Sequence, residues 1–260
     1  MSREWIDALR REYAELPLLL GDIEDDEWQH ESGCRGWTIH DVVAHISSSL
    51  RSIVSPAGLR LVFANDIEST AEAPVQERRS WRSNQLLDEV EIYRDRVLRT
   101  AELLATTPLG RVPLRAGELG WFPAGKMVAC GATFDLHTHI RHDIAIPLGR
   151  SVPETDSQRM RTVLTWMFSV MSAQLRAANH AWLQEPLAIT LEGAGGGTWG
   201  IDVSGRVTCG GQKSSAINIH GAVKDFPSWA TCRTRWRDHD ISIKGDQGSA
   251  AKFLDTINIV

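Results

Sequence analysis

The chain has 260 residues, enough to bury one large core or two smaller ones. Hydrophobic residues make up 42%, charged residues 23%, and the net charge is -5, so no basic excess exists to neutralise a nucleic-acid backbone or an anionic membrane, and neither partner is expected. The segment from Met1 to Trp5 lacks an apolar signal core, and no apolar run approaches the roughly 20 residues that span a bilayer, which leads to the expectation of a cytoplasmic protein.

Residues 3–20 place Trp5, Ile6, Leu9, Tyr13 and Leu16 at spacings of three and four, which predicts a first amphipathic helix. An acidic, aromatic linker through Asp25, Asp26, Glu27 and Trp28 leads to Gly33, Cys34, Arg35 and Gly36. Thr38 then precedes an apolar-periodic run with Asp41 three residues on, a capping-box pattern with Asp in place of Glu. The helix it predicts runs to about Val62, interrupted at Pro56-Ala57-Gly58. On it Asp41 and His45 share a face, beside the apolar stripe of Ile39, Val42, Val43 and Ile46. Residues 65–80, polar and containing Pro74, read as a loop. Leu86, Leu87, Val90, Tyr93, Val97, Leu98, Ala101 and Leu104 predict a third helix over about 84–104. The proline- and glycine-rich 107–125 stretch reads as a structured loop without elements of its own.

A further helix is predicted over 126–145, stopped by Pro147, Leu148 and Gly149, and another from about Asp156 to Ala178. After about Pro186 the texture changes. β-formers cluster at 187–191, 198–203, 215–220 and 240–244, separated by glycine-rich turns, with helical patterns over 227–236 and 249–257. Periodicity and texture thus predict an α+β chain of two domains, a helical bundle over 1–182 and a small antiparallel α/β domain over 183–260. Cys34, Cys130, Cys209 and Cys232 are scattered and form neither a disulfide framework nor a zinc ribbon. Of the ten tryptophans, Trp5, Trp166 and Trp182 fall in helical periods and read as packing residues.

On the 126–145 helix Asp135 and His139 lie at i and i+4, with His142 or Asp143 at i+7 or i+8 on the same face. A carboxylate and an imidazole projecting together form half of the kind of metal site that bundles build from facing helices, although a solvated polar face carries the same residues. Adding His45 gives two imidazoles and one carboxylate, a set that suits zinc or another first-row divalent ion with a position open to water or substrate.

Taken together, GWTIHDVVAHI and FDLHTHIRHDIAIPLG resemble the mycothiol-dependent maleylpyruvate isomerase family, whose N-terminal domain is a DinB-like four-helix bundle. Gly36, Trp37, Thr38, Asp41 and His45 match its Gly-Trp-Thr/Ser-x-x-Asp-x-x-x-His stretch position for position. Asp135 and His139 match its second stretch, Asp/Glu-x-x-x-His-x-x-Asp, with Leu148 and Gly149 after them. His142 occupies the usual Asp position and Asp143 follows, which implies a one-residue shift or a local bulge of the helix. The resemblance implies His45, Asp135 and His139 as metal ligands, zinc as the ion and mycothiol as thiol cosubstrate. His137 and His142 are rivals better suited to a surface or supporting role.

The C-terminal part resembles the sterol-carrier-like domain appended in many family members, with Cys232 where Gly is usual before an Arg. There Arg233 inherits a catalytic role in positioning an anionic substrate or the thiol's carboxylate, with Arg235 and Arg237 as competitors. The activity so implied is addition of a metal-activated thiol to a small electrophile, as an isomerase or an S-transferase. A metal-dependent hydrolase that does not use mycothiol and a non-catalytic metal- or thiol-binding module are the alternatives.

Overall fold

The computed structural model describes residues 3–177, 183–211 and 215–259. The chain divides into two compact units, Met1–Glu154 and Thr155–Val260. The expected boundary at 182/183 adjoins residues 178–182, which lie outside those described and include Ala178 and Trp182. Within the second unit, helix α8, Ser157–Ala177, stacks its Phe168 on Trp199 at 4.1 Å and on Phe226 at 5.1 Å.

The first unit is a helical bundle of α1 (Arg3–Gly21), α2 (Ile39–Ile53), α5 (Ser83–Thr106) and a helical run over 124–145. Their apolar stripes meet in one core that includes Leu9, Leu16, Ile39, Ile46, Leu86, Leu136 and Ile140, each worth about 1.5–3 kcal/mol on full burial. α2 starts as its sequence predicts. Thr38 Oγ1 accepts from the Asp41 backbone N–H at 3.2 Å, and the Thr38 N–H donates to Asp41 Oδ2 at 3.3 Å. Pro56–Gly58 forms a 3₁₀ turn that separates α2 from the short α3, Leu59–Val62.

Two stretches read as loops carry elements. Residues 67–78 form α4 (Ile67–Arg78), with Pro74 inside it, and not the loop that their polar sequence predicts. Asp66 caps α4 by accepting from the Ser69 N–H at 3.0 Å, Val75 is fully buried, and Arg78 makes a bidentate pair with Glu89 of α5 at 2.6 and 2.9 Å. Tertiary contacts thus override a low helix propensity. Within 107–125, β1 (Pro113–Ala116) and β2 (Gly120–Pro123) form an antiparallel hairpin, turned by Gly117 and Gly120 at positive φ.

The 124–145 run is helical throughout but not uniformly α. α6 (Ala124–Lys126) passes into a π turn over Met127–Gly131, then α7 (Ala132–Thr138), then a second π turn over His139–Ala145. Consistent with i→i+5 bonding, the Ile146 N–H donates to Arg141 O at 3.2 Å.

The second unit has a five-stranded sheet in the order β5-β4-β3-β6-β7, with strands Leu187–Glu192 (β3), Gly197–Ile201 (β4), Val207–Cys209 (β5), Ile217–Ala222 (β6) and Ser242–Lys244 (β7). All neighbours are antiparallel except β3 and β6, which run parallel from the pairing of Leu187 with Ile217 to that of Glu192 with Ala222. Helices α9 (Phe226–Ala230) and α10 (Gln247–Thr256) complete it, burying Phe226, Trp229, Phe253 and Leu254. Among the described residues no helix is long and apolar enough to cross a membrane.

Candidate metal centre

Three elements of the first unit bring ligand-type side chains together. α2 projects His45 from the edge of its buried face, α7 projects Asp135, and His139 opens the second π turn. His45 Nε2 lies 3.5 Å from Asp135 Oδ1, His139 Nε2 lies 3.4 Å from the same oxygen, and the two imidazole rings are 4.9 Å apart. The cluster opens on its Asp135 side. That side chain is 32% exposed, against 16% for His45 and 9% for His139.

These separations bear on two uses of the cluster, as a charge-paired triad and as a metal site. At 3.4 and 3.5 Å the N···O distances exceed those of good N–H···O hydrogen bonds. Two ligands bound at 2.0–2.1 Å around a tetrahedral centre lie about 3.4 Å apart. Both imidazoles present Nε2 to one carboxylate oxygen at that spacing, so the donor set fits a divalent ion.

The outer contacts hold two of the three in place. Asp143 Oδ2 is 2.7 Å from His139 Nδ1 and its side chain is fully buried, so an Nδ1–H donates to it and Nε2 faces the cluster. The contact spans the second π turn, and the out-of-register Asp143 lies on this local bulge of the helix. Around His45, the Trp37 ring lies tilted at 5.3 Å and Ser49 Oγ is 3.3 Å from Nε2. Trp37 Nε1 donates to Glu72 Oε2 at 2.8 Å, Arg79 donates to Glu72 Oε1 at 3.1 Å, and the same guanidinium donates to Asp41 Oδ1 at 3.1 Å. Asp41 thus caps the helix and ties it to α4.

The cluster is electrostatically coupled. Burial pushes the Asp135 carboxyl up, but the His139 and His45 imidazoles outweigh it and hold the group well below the ordinary carboxylate range. Burial pulls the His139 imidazole down, and Asp135, Asp143 and Cys34 together raise it well above the ordinary histidine value.

A second donor group, Cys34 with His139 and Asp143, shares His139 through its other nitrogen. Cys34 Sγ is 4.0 Å from His139 Nδ1, an atom already held by Asp143. His137 and His142 stand 6.4 Å apart ring to ring and belong to neither donor group. Arg233 lies in the second unit, half-buried, its N–H donating to Ser228 O at 3.0 Å. Arg235 is paired with Asp238 at 2.8 Å, and Arg237 with Asp255 at 2.9 Å. Cys232 adopts φ 58, a left-handed conformation that favours glycine, the residue usual there in the resembled domain. The residues the sequence reading misses are Gly33, Cys34, Glu72 and Arg79, whose contacts with Asp143, His139, Trp37 and Asp41 respectively join segments distant in sequence.

The mycothiol maleylpyruvate isomerase N-terminal domain profile matches residues 9–139, just over half of the chain. An uncharacterized Mycobacterium tuberculosis protein is 26% identical over 254 residues, covering 92% of this chain and 88% of the relative. Among solved structures, the mycothiol-dependent maleylpyruvate isomerase aligns with a TM-score of 0.60 at 12% identity, over 93% of this chain and 92% of that one. A histidine-to-alanine mutant of that isomerase aligns with a TM-score of 0.58 at 13% identity, over the same shares. At such identities the likeness is one of fold.

Proposed function

The chain belongs to the mycothiol maleylpyruvate isomerase N-terminal domain family, and from that premise we propose that it is a metal-dependent enzyme using mycothiol to isomerise a small electrophile. The observation that carries the metal reading is the pair of Nε2 atoms at 3.4 and 3.5 Å from one Asp135 oxygen. His45, Asp135 and His139 would hold the ion, zinc being the one that two imidazoles and a carboxylate suit. Bound there, it would favour the thiolate form of a coordinated thiol near neutral pH.

The chain's own residues supply the rest. Asp143 keeps His139 oriented with Nε2 toward the cluster, so an ion binding there would displace a proton from Nε2 without turning the ring. Asp135 is the one anionic member of the set, so a divalent ion that displaced the imidazole protons would keep net positive charge there and would favour a thiolate. Its partly exposed side is the route by which thiol and electrophile enter and the thiol proton leaves to solvent. Attack of the thiolate sulfur on one carbon of a cis double bond conjugated to a carbonyl forms an S–C bond, and the π electron pair moves onto the carbonyl oxygen as an enolate. Rotation about the resulting C–C single bond, then return of that pair with expulsion of the same thiolate, yields the trans isomer. Arg233 is the proposed anchor for an anionic substrate group or for the thiol's carboxylate.

The test is turnover with purified mycothiol and a panel of cis-enoyl acids, comparing the unmutated chain with His45→Ala. Mycothiol-dependent conversion lost in the variant supports isomerisation. A stable thiol adduct as product redirects the reading to an S-transferase, and metal-dependent turnover indifferent to mycothiol to a hydrolase.

A further inference from the structure

The 31–38 loop lies between the two halves of the centre and touches both. It is closed on itself by a bridge between Glu31 and Thr38, by the Ser32 N–H to Trp37 O at 3.0 Å, and by the Trp37 N–H to Cys34 O at 3.0 Å. Ser32 Oγ braces its interior, accepting from the Cys34 N–H at 3.1 Å and donating to Trp37 O at 2.9 Å. At one end Thr38 caps the helix that carries His45. At the other, the Gly33 N–H donates to Asp143 O at 3.1 Å, on the π turn that carries His139.

Gly33 makes that approach as no other residue could. Its φ lies outside the left-handed region, so conformational freedom is not what selects glycine there. Space is. A Cβ at this position would lie 2.4 Å from His142 O, 2.7 Å from Asp143 Oδ1 and 2.9 Å from Asp143 Cα. Asp143 is the group whose other oxygen holds His139 Nδ1 at 2.7 Å. Any side chain at Gly33 therefore presses on the carboxylate that orients His139.

We propose that the 31–38 loop is a positioning element for the centre, setting the orientation of His139 through contact of Gly33 with Asp143 while capping the helix of His45. Gly33 is a positioning residue, acting through Asp143 and not on substrate. The inference rests on the metal reading above for its consequence, zinc affinity, but not for its mechanism, which is present in the metal-free chain.

The experiment uses the full chain with Gly33→Ala, Asp143→Asn and the double variant, measuring zinc affinity by competition with a chromophoric chelator. In the metal-free proteins it also follows the downfield Nδ1–H proton resonance of His139. Gly33→Ala is expected to weaken zinc binding by about 10- to 100-fold, as loss of an outer hydrogen-bond partner does, and to shift or broaden the His139 resonance. In the Asp143→Asn background it should add nothing further, because both act on one contact. Zinc affinity within twofold of the unmutated chain, or losses that multiply in the double variant, would overturn the proposal. If Gly33→Ala does not fold, Ser32→Ala loosens the loop without adding an atom, and about a fivefold loss that vanishes in the Asp143→Asn background is expected; unchanged affinity there overturns the proposal. Should the unmutated chain bind no zinc, the metal reading fails, and the His139 resonance alone decides this one. Perturbation by Gly33→Ala or Ser32→Ala upholds it and an unmoved resonance overturns it.

Discussion

His139 Nδ1 and Asp143 Oδ2 are 2.7 Å apart across a π turn. The fully buried carboxylate gives the imidazole its supporting partner. Asp143→Ala is therefore expected to lower zinc affinity by roughly 10- to 100-fold while leaving the helical content of the bundle intact. Isothermal titration alongside far-UV circular dichroism checks both halves.

Asp135 is the oxygen that both Nε2 atoms face. Asp135→Ala should cost more than the roughly 100-fold of an outer partner, because it removes a ligand and its charge together. Asp135→Glu restores the carboxylate on a longer arm, and partial recovery of zinc binding is expected in the same titration. Equal affinities for the Ala and Glu variants would rule out coordination through this side chain.

The Arg78–Glu89 pair ties α4 to α5 and gives stability a dependence on pH. Burial pushes the Glu89 carboxyl up, but the Arg78 guanidinium, with Ser47 and Arg51, outweighs it and holds the group below the ordinary carboxylate value of 4.5. A depressed carboxyl contributes stability that is fully present above the unfolded value and lost as pH falls through the folded one. Unfolding free energy should thus fall on acidification below pH 4.5, and Glu89→Gln should flatten that slope. At neutral pH the same variant should cost about 1–3 kcal/mol, because the buried Arg78 loses its charged partner but keeps the Pro74 carbonyl and Glu77, 4.0 Å away. Urea unfolding across a pH series measures both.

Cys232 occupies a left-handed φ of 58 where glycine carries no penalty. Relief of the side-chain strain, partly offset by the freer unfolded chain, predicts that Cys232→Gly stabilises the protein by about 0.5 kcal/mol. Chemical denaturation of the two proteins gives the difference directly.

Much of this architecture is legible from residue pattern. The cap at Thr38, the apolar stripes of α1, α2 and α5, and the convergence of His45, Asp135 and His139 follow from local periodicity joined to one family resemblance. What escaped has a common cause. α4 has a proline and little amphipathic pattern of its own, and it exists because Val75, Arg78 and Glu72 find partners on other elements. Gly33 looks like any loop glycine until the backbone of Asp143 is beside it. The π turn was legible only as a motif out of register by one residue. The stacking of Phe168 of α8 on Trp199 and Phe226 is likewise a contact that no helical period contains.

The central claim is that His45, Asp135 and His139 share one ion, and zinc K-edge X-ray absorption on the purified chain tests it most directly. The expected result is about one zinc per chain with nitrogen and oxygen ligands at roughly 2.0–2.2 Å, and loss of that signal in His45→Ala. A chain that takes up no zinc, or whose zinc signal survives His45→Ala unchanged, would contradict it.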